Sequence, residues 1–146
     1  MEIDEADLEL AKSFMRKAYD DLKSAEILLE RSQYSDSTFH SQQAAEKSSK
    51  ALLIMNKIFV REHIISHLLF GLEVNEEIIR SVSSLEEHWI KPRYPFVGKK
   101  LVWDPTKEYT KEIAVEALEK AKFVVNEIEK VLKEKYGLIL EEKNER

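Results

Sequence analysis

The sequence predicts an all-α protein, an up-and-down bundle of three long helices and about two short ones. Three observations lead there. Only three glycines and three prolines punctuate 146 residues, too few turn formers for a sandwich or barrel of many short strands. Charged residues make up 35% of the chain and hydrophobic residues 43%, a balance that suits long helices with one wet face. Apolar and small residues also recur at spacings of three and four through three long stretches, the period of a helix with one buried side. A chain of this length is expected to form a single domain over 1–146, with its core at about 8–132.

The first helix is expected from Asp4 to about Arg31. Leu8, Ala11, Met15, Ala18, Leu22, Ala25 and Leu29 form a sustained seam for pairing with another helix. Gln33, Tyr34 and Ser35 read as a short connection, with Ser35 or Asp36 as N-cap of the next helix. A link that short makes the two helices antiparallel neighbours. The central helix, FHSQQAAEKSSKALLIM, contains no Gly or Pro. Ala44, Ala45, Ser48 and Ser49 allow close helix approach, within the subunit or across a dimer. Ala51 to Met55 is apolar almost all round, which predicts an end buried on several sides.

Beyond Lys57 the periodicity breaks up. Ile64 to Leu72 reads as a short helix closed near Gly71, and Asn75 to Trp89 as a second, with Ile78, Ile79, Val82 and Leu85 inward. Pro92, Pro95, Gly98 and Pro105 then mark a long irregular connection. The last helix starts with Asp104 as N-cap and Pro105 at its first position, or a few residues later at Thr110. Ala114, Ala117, Leu118, Ala121, Val125, Ile128 and Leu132 form its seam, Gly137 its C-cap, and 138–146 a frayed tail.

Composition narrows the chemistry. The net charge of −5 does not attract nucleic acid, so binding of that kind needs a local basic patch. The absence of cysteine excludes disulfides, thiolate nucleophiles and Cys-ligated zinc. No apolar run approaches the ~20 residues of a membrane span. The acidic start, MEIDEADLEL, is unlike the basic beginning of a signal peptide, so a cytoplasmic protein is expected. No Gly-rich phosphate loop, P-loop lysine or nucleophile elbow occurs, and no cofactor is implied.

The segment Lys91 to Trp103, KPRYPFVGKKLVW, stands apart. It holds four basic residues and no acid, interleaved with Tyr94, Phe96 and Trp103. Charge and stacking together are what gripping a phosphate and a base requires. Arg93 is the best phosphate candidate because its planar fork holds two oxygens at once. Pro92 and Pro95 restrict the backbone around it, Tyr94 offers a ring to a base, and Lys99 and Lys100 add charge at longer range. The competing reading is a loop whose Tyr94 is buried against the bundle and whose Arg93 pairs with an acid.

The order of pieces resembles a known family. AYDDLKSAEILLE in the first helix, YSDSTFHSQQAAEKSSKALL, SHLLFGL, RYP and finally EALEKAKFVVNEI are similar to the HEPN domain over roughly residues 8 to 132. The resemblance implies a small helical bundle that usually forms a homodimer. It also implies a place beside a minimal nucleotidyltransferase in a toxin–antitoxin or related two-component system. Some members are metal-independent ribonucleases that carry an Arg followed after four to six residues by His. Others lack that signature and bind nucleotides or act as scaffolds.

Arg61 and His67, in REHIISH, fit the signature's spacing. A histidine that takes the 2′-OH proton and an arginine that stabilises charge on phosphorus would supply the chemistry, with a dimer bringing two copies to one cleft. The pair lies after the central helix, however, and not at the start of the last one. Leu68 and Leu69 stand where Asp and Tyr often follow the signature His. Residues six apart on a helix also diverge by about 120°. The reading preferred on these grounds is a protein that acts by association, binding a nucleotidyltransferase and a nucleotide or RNA. The ribonuclease is the alternative. His63 and His67 are four apart, a spacing that ligates metals from a helix face, but no third ligand follows and no metal site is expected. His40 reads as a packed or half-exposed helix residue, and His88 as part of a surface or interface.

Overall fold

A computed structural model describes residues 2–140 of the chain. The elements are α1 (Glu5–Glu30), α2 (Tyr34–Met55), α3 (Ser66–Leu69), α4 (Glu76–Leu85), a 3₁₀ turn (Glu86–Trp89), β1 (Phe96–Val97), β2 (Val102–Trp103), α5 (Pro105–Glu108) and α6 (Lys111–Tyr136). The three long helices, α1, α2 and α6, carry the fold, with α4 laid against α2 and α6. Among the described residues no helix is long and apolar enough to cross a membrane.

The caps explain where the helices begin. Asp4 accepts from the backbone N–H groups of Ala6 and Asp7, Asn75 from Glu77, Asp104 from Thr106, and Thr110 from Ile113. Each satisfies a donor that the first helical turn leaves open. Both starts considered for the last helix therefore exist: Asp104 and Pro105 open the short α5, and Thr110 opens α6. Gly137 ends α6 with φ of 65°, the left-handed conformation that glycine adopts without strain.

Packing follows the seams. Ala11, Met15, Ala18, Leu22 and Ala25 of α1 meet Ala44, Ala45 and Ala51–Met55 of α2 and the α6 row from Ala117 to Leu132 in one buried cluster. The small residues Ala44, Ala45, Ser48 and Ser49 are at most 1% exposed. Ser48 and Ser49 return their hydroxyls to the Ala45 carbonyl, at 3.1 and 2.7 Å, so close packing leaves no orphaned donor there.

The structure corrects four local expectations. The central helix starts at Tyr34, with Gln33 as a cap that makes no side-chain bond. Ser35 and Asp36 are not its N-cap, because the reversal is closed by backbone: Ser32 adopts φ of 61° and Gln33 N–H donates to Leu28 O at 2.8 Å. The first short helix shrinks to one turn, Ser66–Leu69, because the backbone before it is drawn onto the Glu86 carboxylate. The connection after Trp89 is not structureless, since Phe96 pairs with Trp103 and Val97 with Val102 in an antiparallel hairpin. The tail does not fray at its start: Leu138 is 1% exposed and Leu138 N–H donates to Leu132 O at 3.2 Å. The remainder of that tail, 141–146, lies outside the described residues.

Candidate functional site

Two buried carboxylates organise the surroundings of the candidate residues. Glu86, 9% exposed, accepts from Ile65 N–H at 2.6 Å, Ser66 N–H at 3.0 Å and Ser66 Oγ at 2.6 Å. These bonds fasten the stretch before α3 to the 3₁₀ turn. Glu46, 5% exposed on α2, accepts from Gln42 at 3.0 Å through Oε1. Its Oε2 receives Lys50 Nζ at 3.1 Å and His63 Nδ1 at 3.0 Å. The His63 ring in turn stacks on Trp89, with centroids 4.2 Å apart and planes 18° from parallel.

Trp89 also carries Arg93. The arginine Nε donates to Trp89 O at 2.7 Å, and its N–H closes a turn onto Ile90 O at 2.9 Å. Its guanidinium carbon lies 4.8 Å from the Phe39 ring centroid, 5.2 Å from Trp89 and 5.3 Å from Tyr94. Aromatic faces attract a cation without neutralising it. Among the described residues no carboxylate lies within ion-pair distance of Arg93, and its two terminal nitrogens donate to nothing. It is a half-buried cation held in place with its recognition fork free.

Tyr94 is 57% exposed, so it is not the buried anchor of the competing reading. Lys99 and Lys100 sit exposed at the hairpin tip, where Gly98 N–H donates to Leu101 O at 2.8 Å. They line an open cleft of about 640 Å³ with Phe96, Trp103 and Glu108. The hairpin is tied down by Trp103, which donates to Lys91 O at 2.8 Å and meets Tyr109 edge-on. Tyr109 OH and His88 Nδ1 are 2.7 Å apart, and burial pushes the His88 pKa down and that of Tyr109 up.

Among the described residues no hydrogen bond joins Arg61 and His67. Arg61 lies exposed in the irregular stretch after α2, His67 lies exposed on α3, and neither makes a hydrogen bond or ion pair among the described residues. His63 is instead engaged with Glu46, and among the described residues no three His, Asp or Glu side chains gather as a metal set. His40 is half-buried, and its Nδ1 donates to Asp21 Oδ1 at 3.0 Å. Asp21 also takes Lys47 Nζ at 2.5 Å, and Lys47 reaches Gln43 at 3.2 Å. Gln43 donates to Gln42 at 2.8 Å, which joins this group to Glu46. A continuous polar line therefore runs along α2 from Asp21 to His63.

Sequence reasoning passes over Glu46, Glu86 and Asp21, and weighs His63 only as a metal ligand. The available signal was charge inside an apolar pattern: Asp21 lies beside Leu22 in the first seam, and Glu46 lies within AAEKSS.

A HEPN domain family model matches residues 11–131. A curated protein of Methanocaldococcus jannaschii named "Putative toxin MJ1304" is 41% identical over 144 residues, covering 90% of this chain and 93% of that protein. Among solved structures, TT1696 from Thermus thermophilus superposes with a TM-score of 0.72 at 27% identity, over 82% of this chain and 96% of its own. ST0689, described as an archaeal HEPN homologue, gives 0.70 at 30% identity, over 84% and 98%.

Proposed function

This chain belongs to the HEPN family, and from that premise we propose that it acts by association, as the HEPN component of a toxin–antitoxin-type pair. Its ligand is a nucleotide or RNA held by phosphate. One observation carries the reading: Arg93 is half-buried among Phe39, Trp89 and Tyr94 without a carboxylate partner among the described residues. Even a half-buried cation costs some desolvation, which a structural role would normally offset with an acid. Here the free fork suits phosphate, Tyr94 offers a face to a base, and Lys99 and Lys100 extend the positive field. The toxin name of the M. jannaschii relative supports the two-component setting, with a minimal nucleotidyltransferase as the proposed partner.

The test is a titration of ATP and of a short single-stranded RNA. Arg93→Ala is expected to weaken binding about tenfold or more while melting changes little; Lys99→Ala should cost only a fewfold. All affinities should fall as salt is added. Absence of wild-type binding at low salt would end the ligand reading. The alternative is a metal-independent ribonuclease that uses Arg61 and His67 from two subunits. Both side chains are exposed and unpaired among the described residues, which leaves them free to meet across an interface. RNA recovered from the titration is nonetheless expected intact. Robust cleavage lost in both Arg61→Ala and His67→Ala would reverse that choice.

The same proposal includes a homodimer. Val97, Leu101 and Val102 are 78%, 80% and 65% exposed on the hairpin, and that much apolar surface in one projecting element favours a protein contact. Sedimentation at micromolar concentration should give about twice the 17.1 kDa chain mass. A clean monomer would remove the dimer from the proposal.

A further inference from the structure

His63 and Arg93 both contact one indole. His63 stacks on Trp89 at 4.2 Å, and the Arg93 guanidinium lies 5.2 Å from the same ring. The imidazole is fixed from below, because Nδ1 is committed to the buried Glu46 carboxylate at 3.0 Å. That bond sets the tautomer and ring orientation, as a carboxylate does for a working histidine. Nε2, on the opposite edge of the ring, has no hydrogen-bond partner among the described residues, and the side chain is 40% exposed. A ring that served only as packing would not need a buried acid to aim it.

On α2, the negative charge of Glu46 is already matched by Lys50 at 3.1 Å. On the 3₁₀ turn, Glu86 is held by two backbone N–H groups and a hydroxyl, neutral donors that leave its charge in place. Arg61 and Glu62, on the same stretch of chain as His63, are exposed and cancel each other's charge. Protonation of His63 would add a second positive charge on the indole that Arg93 also contacts.

We infer that His63 is a second ligand-contacting residue of the Arg93 site, donating from Nε2 to the bound phosphate chain and making anion binding proton-linked. The inference rests on Arg93 binding phosphate, as proposed above. Glu46 is then a positioning residue, acting through the imidazole.

The probe is a short single-stranded RNA with hydroxyls at both ends. Its phosphodiesters keep their charge from pH 8 to pH 6, whereas a terminal phosphate would itself titrate near pH 6. Wild-type affinity is expected to rise about three- to tenfold over that range, the effect of one added charge-assisted hydrogen bond at a partly exposed site. His63→Gln and His63→Phe should bind at the high-pH level throughout, and the Phe variant keeps a flat ring on Trp89. Melting curves at both pH values establish that each variant is folded. A flat wild-type profile, or variants that keep the wild-type slope, would overturn the role of His63 and leave Arg93 standing. Wild-type binding that is absent at every pH, or unchanged in Arg93→Ala, would instead overturn the parent reading.

Discussion

Glu86→Ala is expected to cost about 3–5 kcal/mol of folding stability, with a melting temperature lower by on the order of 10 °C. The carboxylate is 9% exposed and accepts three hydrogen bonds, from Ile65 N–H, Ser66 N–H and Ser66 Oγ. Removal leaves two backbone donors without an acceptor beside Ile65, which is fully buried. Each buried, unpaired donor costs about 1–3 kcal/mol. Water does not easily replace it, since the gap shared by Glu46, His63, Ile65 and Glu86 is too small to hold a water molecule. Glu86→Gln keeps one carbonyl oxygen but turns an NH₂ toward the remaining donors, so an intermediate loss is expected. Thermal melts of the three proteins decide the matter; a Glu86→Ala melt within about 2 °C of wild type would show that the strand of chain before α3 is held by something else.

That carboxylate also shows where reading the sequence stops. The helices are legible because their signal is local: the three-and-four spacing from Leu8 to Leu29 and from Ala114 to Leu132 repeats the geometry of a single helix. The small residues of α2 are legible for the same reason. Glu86 follows Leu85 as an ordinary polar neighbour, and nothing near it in sequence says that Ile65 and Ser66, some twenty residues away, will arrive at its oxygens. The start of the central helix is misread at Ser35 and Asp36 because the reversal before it is closed by backbone, Gln33 N–H donating to Leu28 O at 2.8 Å, while the nearby Ser37 hydroxyl donates to Ala25 O at 2.7 Å. That partner is supplied only once the two helices have docked.

The candidate site was legible in part. Arg93 and Tyr94 stood out by composition, since they lie in the one acid-free basic stretch. What surrounds Arg93 was not legible, because Phe39 comes from the first turns of α2 and Trp89 from the 3₁₀ turn. Their meeting depends on how α2 crosses the turn. Spacing alone favours Arg61 and His67, yet the chain between them is held onto Glu86 at Ile65 and Ser66, and both side chains are exposed with no hydrogen bond between them among the described residues. His63, two residues from Arg61, took the ordered position because Glu46 is there to receive it.

The polar line along α2 ends at Asp21, and its removal is the second large effect expected. Asp21→Asn should destabilise the protein by about 2 kcal/mol at neutral pH. The carboxylate is 3% exposed and bonded to His40 and Lys47. An amide in its place cannot accept from both without presenting a donor to one of them. The figure stays below that for a fully buried pair because His40 and Lys47 are partly exposed and can turn to solvent when the acid is gone. Burial by itself would raise the Asp21 pKa; the hydrogen bonds from His40 and Lys47, with the charge of Lys47, outweigh it and hold the carboxyl below its usual value. The folded pKa is therefore lower than the unfolded one. Stability from this group is complete above the unfolded value of about 4 and drains away as pH falls through the folded value. Urea melts of wild type and Asp21→Asn should thus differ at pH 7 and converge below about pH 4. If the gap fails to close below about pH 4, or is absent at pH 7, the pairing of Asp21 with His40 and Lys47 does not contribute to folding in the way its geometry requires.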